Sequence, residues 1–184
     1  MKNRPVSEKM MTRFAPTLLV LGATLGLSLL VLINHDWDPM AFVRLGSRYS
    51  ESKPQGTIGY DGQFAYQIAT HPLDAAPYLD IPAYRYQRIL YPILGRLAGL
   101  GQPALIPWAL LGINIAALTI GTHVTAEILA ARGLGRWYAV TVGLFAGQLV
   151  SLRMDLNEPC ALTLALLGIH TFEKHPRRGR SFLH

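Results

Sequence analysis

A long apolar segment begins near the start of the chain. No charged residue occurs from Phe14 to Ile33, a run of twenty residues. A helix of that length rises about 30 Å, which matches the hydrocarbon core of a bilayer. The pattern therefore predicts a transmembrane helix over 14–33. A cleaved signal peptide is the alternative, but the run is longer than a usual signal core and no small-residue cleavage motif follows it.

Three further apolar segments follow at 105–131, 137–152 and 159–172. The first is long enough to span a membrane, and the second is shorter but begins with Trp137 and Tyr138, which are typical interfacial anchors. The third has fourteen residues, fewer than the roughly 17 to 25 expected of a full span. The pattern predicts an all-α polytopic transmembrane bundle whose longest loop, 34–104, carries short interfacial amphipathic helices.

Composition and charge support this membrane assignment. Hydrophobic residues make up 51% of the chain, charged residues only 15%, and the net charge is +6. The basic residues cluster beside the apolar segments. They are Lys2, Arg4, Lys9 and Arg13; Arg132 and Arg136; and Lys174, Arg177, Arg178 and Arg180.

These clusters predict the orientation through the positive-inside rule. If 1–13 is cytoplasmic, four spans return every basic cluster to the cytoplasm, including the tail at 173–184. The 34–104 loop and residues 155–158 then lie outside. No basic stripe with interleaved aromatic residues remains, so we expect no nucleic-acid partner.

Within the long loop, Tyr60-Asp61-Gly62 precedes Phe64 and Ile68, whose spacing predicts a short amphipathic helix. Asp61 stands at its N-terminal end. Two interpretations of Asp61 remain open: it caps the helix, or it belongs to a binding or catalytic site.

A second helix is predicted over 83–100, where apolar residues recur at helical spacing. Its arginines, Arg85 and Arg88 first among them, either contact lipid phosphates or bind a ligand phosphate with their two-pronged guanidinium groups. Nearby tyrosines offer flat faces on which a sugar can stack. They are Tyr84, Tyr86 and Tyr91.

Acidic residues also lie on the predicted outer side. Asp36 and Asp38 flank Trp37 directly after the first span, and such a pair either holds a divalent cation or forms an acidic cap at the interface. Asp155 and Glu158 are either part of an acidic site wall or an ordinary polar turn between spans.

Two intramembrane features favour structural roles. His123 and Glu127 lie one turn apart near the cytoplasmic end of 105–131, where extension of their side chains to the interface is favoured over a metal pair. Cys160 is the only cysteine, so it forms no intramolecular disulfide and is interpreted as a helix-packing residue.

Two motifs together resemble a known family. Tyr60-Asp61-Gly62-Gln63-Phe64 with Tyr66-x-Ile68-Ala69, followed by Tyr84-Arg85-x-Gln87-Arg88-Ile89-Leu90-Tyr91-Pro92, is similar to the first extracytoplasmic loop of multi-pass glycosyltransferases of the C superfamily. Among them, the chain most resembles bacterial cell-surface glycopolymer proteins related to the GPI mannosyltransferases. Asp155-Leu156-Asn157-Glu158-Pro159 also resembles a segment of those proteins, and the resemblance covers about 14–172.

The resemblance implies transfer of a sugar from a polyprenyl-phosphate donor to a cell-envelope acceptor, at the outer face of the bacterial inner membrane. Asp61 is then the catalytic or metal-associated carboxylate, and Arg85 and Arg88 stabilise the departing phosphate. The cofactor is not identified, and a divalent cation is one candidate. The remaining implied substrate-binding residues are Tyr60, Gln63, Tyr84, Tyr86, Asp155 and Glu158.

The chain departs from that superfamily in length, because its enzymes have many more than four spans. We therefore expect the N-terminal portion of such an enzyme, either truncated, completed by a second membrane subunit, or separated from its remainder by a gene-model error. The alternatives are a small non-enzymatic membrane protein that binds anionic or polyprenyl lipid, and an inert fragment.

Overall fold

The computed structural model describes residues 6–174, and the side chains of residues 12–174. This part of the chain is all-helical and has no strand. The α-helices are α1 (Val6–Ile33), α2 (Met40–Val43), α3 (Ser47–Ser50), α4 (Gly62–Thr70), α5 (Pro82–Tyr86), α6 (Leu90–Ala98), α7 (Ile106–Ala131), α8 (Val140–Gly143), α9 (Ala146–Arg153) and α10 (Glu158–Lys174). Short 3-10 helices occupy Ala76–Tyr78 and Arg136–Ala139.

Two helices are long and apolar enough to cross a membrane. They are Thr12–Ile33 of α1 and Ile106–Ala131, which is the whole of α7. Only 33% of the most apolar stretch of α1 is buried, whereas the core helix of a soluble protein is mostly buried. Exposed leucines such as Leu18 and Leu30 cover its outer face. These features are typical of a membrane-associated helix, and a signal sequence near an N-terminus shares them.

The remaining helices pack around α7, which contacts α1, α6 and α10. One buried cluster joins α1 to α7 through Val20 and Leu118. A second cluster joins α6 to α7 through Tyr91, Ile106 and Leu110. The short helices between α1 and α7 thus pack on one end of the long-helix pair, and this end carries the candidate site.

Ion pairs join the helices at the opposite end. Glu127 near the end of α7 accepts hydrogen bonds from Arg13 of α1 and from Arg136. Arg132 pairs with Glu173 at the end of α10. The described basic residues that the sequence analysis assigns to the cytoplasm therefore lie together. Lys2, Arg4, the side chain of Lys9 and the basic residues of 175–184 lie outside the described residues.

The segment 137–152 differs from the single helix expected of it. It forms the end of a 3-10 helix, then α8, then α9, with a break at Phe145, whose ψ of 136° is extended. Gly143 lets the backbone approach the two long helices closely, because a Cβ there would lie 2.3 Å from the Thr122 hydroxyl and 2.8 Å from Val20. The chain folds closely over α1 and α7 here, and neither α8 nor α9 is long enough to span a bilayer.

At the C-terminal side, α10 has 17 residues, longer than the predicted 159–172 but at the lower limit for a span. Residues 6–174 are thus all-helical and contain two candidate spans. The four-span bundle stays a prediction.

The predicted helix over 83–100 is also broken, into α5 and α6. Pro92 lies in the first turn of α6 and has no N–H to continue a helical ladder from the preceding residues. The break turns the chain between Tyr86 and Leu90. As a result, Arg85 and Arg88 lie in different local environments, although one continuous helix would have put them on neighbouring positions.

Candidate functional site

Arg85 of α5 contacts two carboxylates, those of Asp61 and Asp80, which are distant from each other in the sequence. Its Nε and Nη2 donate to the Asp80 oxygens at 2.7 and 2.8 Å. Its Nη1 and Nη2 donate to the Asp61 oxygens at 2.8 and 3.0 Å. The guanidinium carbon lies 4.1 Å from the centre of the Phe64 ring. Arg85 is therefore held from three sides and buried.

This geometry raises the pKa of Arg85, through the hydrogen bonds to Asp80 first and to Asp61 next. The same contact lowers the pKa of the Asp80 carboxyl. Four hydrogen bonds to carboxylates use most of the five N–H donors of an arginine. Arg85 therefore holds Asp61 in position and keeps one N–H donor. Arg85 also lines the pocket described below, and its binding of a donor phosphate stays a prediction.

Sequence reasoning missed Asp80 altogether. Its Oδ1 also accepts the backbone N–H of Ile81 at 2.7 Å, directly before α5 begins at Pro82. An Asp two residues before a proline that starts a helix is a helix-start signal, and this signal could have directed attention to Asp80.

Asp61 precedes α4 as predicted, but its side chain makes no capping hydrogen bond. Its carboxylate is 52% exposed while both of its oxygens contact Arg85. Of the two interpretations left open, capping is therefore not supported. Asp61 is an accessible carboxylate in a fixed orientation.

A second carboxyl, Asp155, is fully buried beside α6 and α7. Its Oδ1 lies 2.7 Å from the Tyr91 hydroxyl and 3.4 Å from the Asn114 side-chain nitrogen. Asn114 Nδ2 also donates to the Tyr91 hydroxyl at 2.8 Å. Asp155 Oδ2 and Asn114 Oδ1 have no hydrogen-bond partner among the described residues. The network thus contains two buried acceptors without a partner, which is unusual for buried polar atoms.

The proton count of this network favours a neutral Asp155. The Tyr91 hydroxyl has one proton, yet both Asp155 Oδ1 and the Leu110 carbonyl, at 3.1 Å, lie within hydrogen-bond distance. If Asp155 is protonated, it donates to Tyr91, and Tyr91 donates to Leu110. Burial raises the pKa of Asp155 from 3.8 to about 7, although the hydrogen bonds from Tyr91 and Asn114 oppose the change.

We expect this pKa shift to give the protein a measurable pH dependence of stability. The folded state holds the Asp155 proton between about pH 4 and pH 7, whereas the unfolded chain has released it. The free energy of unfolding therefore falls as pH rises through that window and levels off above it.

Thermal unfolding across this window in neutral detergent measures the effect. The Asp155→Asn variant should lose this fall. Its free energy of unfolding, relative to that of wild type, should therefore increase as pH rises through the window. Glu51→Gln, an exposed carboxylate far from the network, should leave the profile unchanged. An unchanged profile in Asp155→Asn would contradict the assignment.

Asp61, Arg88 and Asp155 line one pocket between α4, α6 and the turn after α9. Gly62 allows the start of α4 to pack closely against the turn after α9, because a Cβ there would lie 2.2 Å from the Met154 carbonyl. The enclosed space is about 30 Å³, enough for about two water-sized groups. A ligand would therefore insert one small polar group and leave the rest of its body outside.

No known family, curated protein or solved structure matches this chain. The resemblance to glycosyltransferases therefore remains an expectation from the motifs, and the site is interpreted from its own geometry.

Arg88 lines this pocket, and Tyr84 and Glu158 lie next to Arg88 outside it. The Arg88 guanidinium donates to the Tyr84 hydroxyl and lies 4.7 Å from its ring centre. Its nearest carboxylate, Glu158, is 3.8 Å away. Arg88 is thus only loosely paired, and it keeps donors that a phosphate can use.

Other predicted ligand-binding residues have structural roles. Gln63 is buried, accepts the Gly46 N–H at 3.0 Å and donates to the Ile58 carbonyl at 2.7 Å. The Tyr86 hydroxyl donates to the Pro72 carbonyl at 3.3 Å. Tyr60 is exposed but does not line the pocket. The predicted contacts of Gln63 and Tyr86 with substrate are therefore not supported.

Asp36 and Asp38 lie in a different cleft from Asp61. Asp38 Oδ1 accepts the Met40 N–H at 2.9 Å. Within residues 12–174, no group of three or more His, Cys, Asp or Glu side chains is arranged to hold a metal ion. The divalent cation at Asp36 and Asp38 stays a prediction.

Proposed function

We propose that this chain is the donor-binding, N-terminal part of a membrane glycosyltransferase that takes a sugar from a polyprenyl phosphate. The observation that carries the proposal is that an accessible carboxylate, Asp61, and a buried carboxyl, Asp155, line one pocket together with Arg88. A sugar hydroxyl can donate to the unpartnered Asp155 Oδ2. The donor phosphate, which remains at the pocket mouth, can accept from Arg88.

The proposed reaction is a displacement at the anomeric carbon. The acceptor hydroxyl oxygen bonds to that carbon as the bond to the donor phosphate oxygen breaks. Asp61 accepts the hydroxyl proton, which requires a positioned and accessible carboxylate. Polyprenyl phosphate leaves as an anion, and Arg88 offsets its negative charge.

The proposed location is the bacterial inner membrane, with the N-terminus in the cytoplasm and the site outside. Two arguments support this orientation. Arg13 of α1 and Arg136 of the 3-10 helix after α7 both contact Glu127 at the end opposite the pocket, and the positive-inside rule places such a basic end in the cytoplasm. The pocket lies at the end where α1 stops and α7 begins, so a lipid-linked donor in the outer leaflet can reach it.

The proposed partners are a polyprenyl-phosphate-linked sugar, membrane lipid and a second membrane subunit that completes the bundle. No role in nucleic-acid binding is proposed. A divalent cation held by Asp36 or Asp38 would lie in a different cleft from Asp61, so it has no role in the proposed reaction.

A second candidate function is non-enzymatic binding of anionic or polyprenyl lipid. Arg88 and Tyr84 favour it, because both are partly exposed and together offer a cation and an aromatic face. This function requires Arg88 but has no use for the Asp61 carboxylate. Loss of Asp61 therefore separates the two.

Donor binding tests the proposed site. The chain is reconstituted in phosphatidylcholine nanodiscs and titrated with a panel of polyprenyl-phosphate hexoses. We expect saturable binding of at least one of them, weakened about tenfold by Arg88→Lys, because Lys keeps the charge but cannot make the two parallel hydrogen bonds of an arginine.

Arg48→Lys is the matched control, since Arg48 is exposed on the same loop and does not line the pocket. It should bind like wild type. Equal binding by wild type and Arg88→Lys would exclude Arg88 from the donor site, and no binding of any hexose donor would overturn the proposed function.

A further inference from the structure

A second cleft opens at the end of α1, separate from the pocket of Asp61. It has a volume of about 610 Å³ and is lined by Asn34, His35, Asp36, Asp38, Met40, Ala41, Arg44, Leu45 and Arg153. It shares no lining residue with the Asp61 pocket. Its first residues directly follow Ile33, where the first candidate span ends. The cleft therefore lies where a membrane surface would meet the protein.

Arg44 is rigidly placed in this cleft by its backbone. It has a left-handed φ of 52°, its N–H donates to the Met40 carbonyl at 3.0 Å, and its carbonyl accepts the Tyr60 N–H at 3.1 Å. Its side chain is exposed, and Nη1 has only the Met154 sulfur as a contact, at 3.7 Å. Thioether sulfur is a weak acceptor, so the guanidinium remains available.

Arg153 enters the same cleft from the end of α9. Its Nη1 donates to the Ala41 carbonyl at 2.7 Å, and its guanidinium carbon lies 5.7 Å from the centre of the Phe42 ring. Burial lowers the pKa of Arg153, and the nearby positive charge of Arg44 lowers it further. The positive charges of Arg44 and Arg153 thus repel each other, and Arg153 is partly buried.

Within the described part of the chain, neither arginine forms an ion pair with a carboxylate. Asp36 and Asp38 line the cleft but lie beyond ion-pair distance of both, and Asp38 is engaged with the Met40 N–H. The other described arginines near the Asp61 pocket, Arg85 and Arg88, do have acidic partners. An anion bound between Arg44 and Arg153 would relieve their mutual repulsion.

We infer that Arg44 and Arg153 bind the phosphate group of a lipid at the membrane surface. A phosphate offers several acceptor oxygens and a negative charge, which match two guanidinium groups. The inference rests on the proposed function for the membrane placement, but not for sugar transfer. Such a site would fix the depth of the chain relative to the lipid headgroups. The pocket that receives the donor lies in a separate cleft.

Lipid retention tests this site on the full chain. The protein is placed in phosphatidylcholine nanodiscs with or without phosphatidic acid and then transferred to neutral detergent, and the retained lipid is measured by native mass spectrometry. We expect wild type to retain phosphatidic acid in preference to phosphatidylcholine. Arg44→Gln should reduce this retention about tenfold, because a charge-assisted contact is lost.

Arg48→Gln is the matched control, because it removes the same charge from an exposed position four residues away. It should retain phosphatidic acid like wild type. Thermal unfolding of each variant separates lost binding from lost folding. The Arg44→Gln substitution removes the guanidinium group and leaves the backbone hydrogen bonds of residue 44 to Met40 and Tyr60 in place.

Inorganic phosphate distinguishes the two sources of the ligand. Displacement of phosphatidic acid by it would show that the phosphate group alone is recognised, and persistence would show that a lipid-borne phosphate is required. Equal retention by wild type and folded Arg44→Gln, or equal loss in Arg48→Gln, would overturn the inference. Asp61→Asn should retain the lipid fully, so a failure of sugar transfer does not affect this result.

Discussion

Replacing Arg85 with methionine is expected to lower the thermal unfolding temperature by about 5 °C or more, corresponding to roughly 2 kcal/mol of stability. Methionine keeps an unbranched apolar stem but is shorter and uncharged, so Asp61 and Asp80 face each other without the cation between them. Complete loss of a partner in a buried ion pair costs about 3 to 5 kcal/mol. The expected value is lower because the Asp61 side chain is 52% exposed and its charge is partly screened by water.

Arg88→Met is the control for this experiment. Its side chain is 38% exposed, and its nearest carboxylate is 3.8 Å away, so it should change stability by about 0.5 kcal/mol or less. Arg85→Lys should fall between wild type and Arg85→Met, because a single ammonium cannot bridge both carboxylates with paired hydrogen bonds. Equal unfolding temperatures for Arg85→Met and Arg88→Met would refute the bridging role of Arg85.

Local sequence patterns predicted those parts of the fold that depend on local spacing. The apolar runs at 14–33 and 105–131 correspond to α1 and α7, and the spacing of Phe64 and Ile68 corresponds to α4. Each of these elements is set by residues within a few turns of one another. The segment 137–152 is different, because it packs closely on α7 at Gly143 and Thr122, a contact that no local pattern contains.

The site itself was predicted only in part for the same reason. Asp61, Arg88 and Asp155 were identified as candidates, and the structure brings these three into one pocket. The pairing of Arg85 with Asp61 joins residues 24 positions apart, and that of Tyr91 with Asp155 joins residues 64 positions apart. Spacing along the chain carries no information about such pairs.

One missed residue did leave a signal in the sequence. Asn114 is a fully buried polar side chain in the otherwise apolar first half of α7. A polar residue at such a position usually has a specific partner, because an unpaired amide is costly in an apolar environment. That reasoning would have predicted a buried polar partner for Asn114, although not that the partner is Asp155.

Sugar transfer by Asp61→Asn is the measurement that tests the central proposal most directly. The variant is expressed in its native membranes, so that any partner subunit is present, and transfer from a polyprenyl-phosphate hexose to the cell-envelope acceptor is followed. Asparagine keeps the size of the side chain but removes the base, so we expect the rate to fall by about 10²- to 10⁴-fold. Donor binding should change little, because Asp155 and Arg88 remain in place.

Asp80→Asn is the matched control, because it removes the other carboxylate held by Arg85 but does not line the pocket. We expect Asp80→Asn to lose stability but to keep most of its transfer rate. Asp61→Asn is expected to lose the transfer rate. Wild-type transfer by Asp61→Asn, or equal loss of transfer in the two variants, would contradict the role of Asp61 as the base.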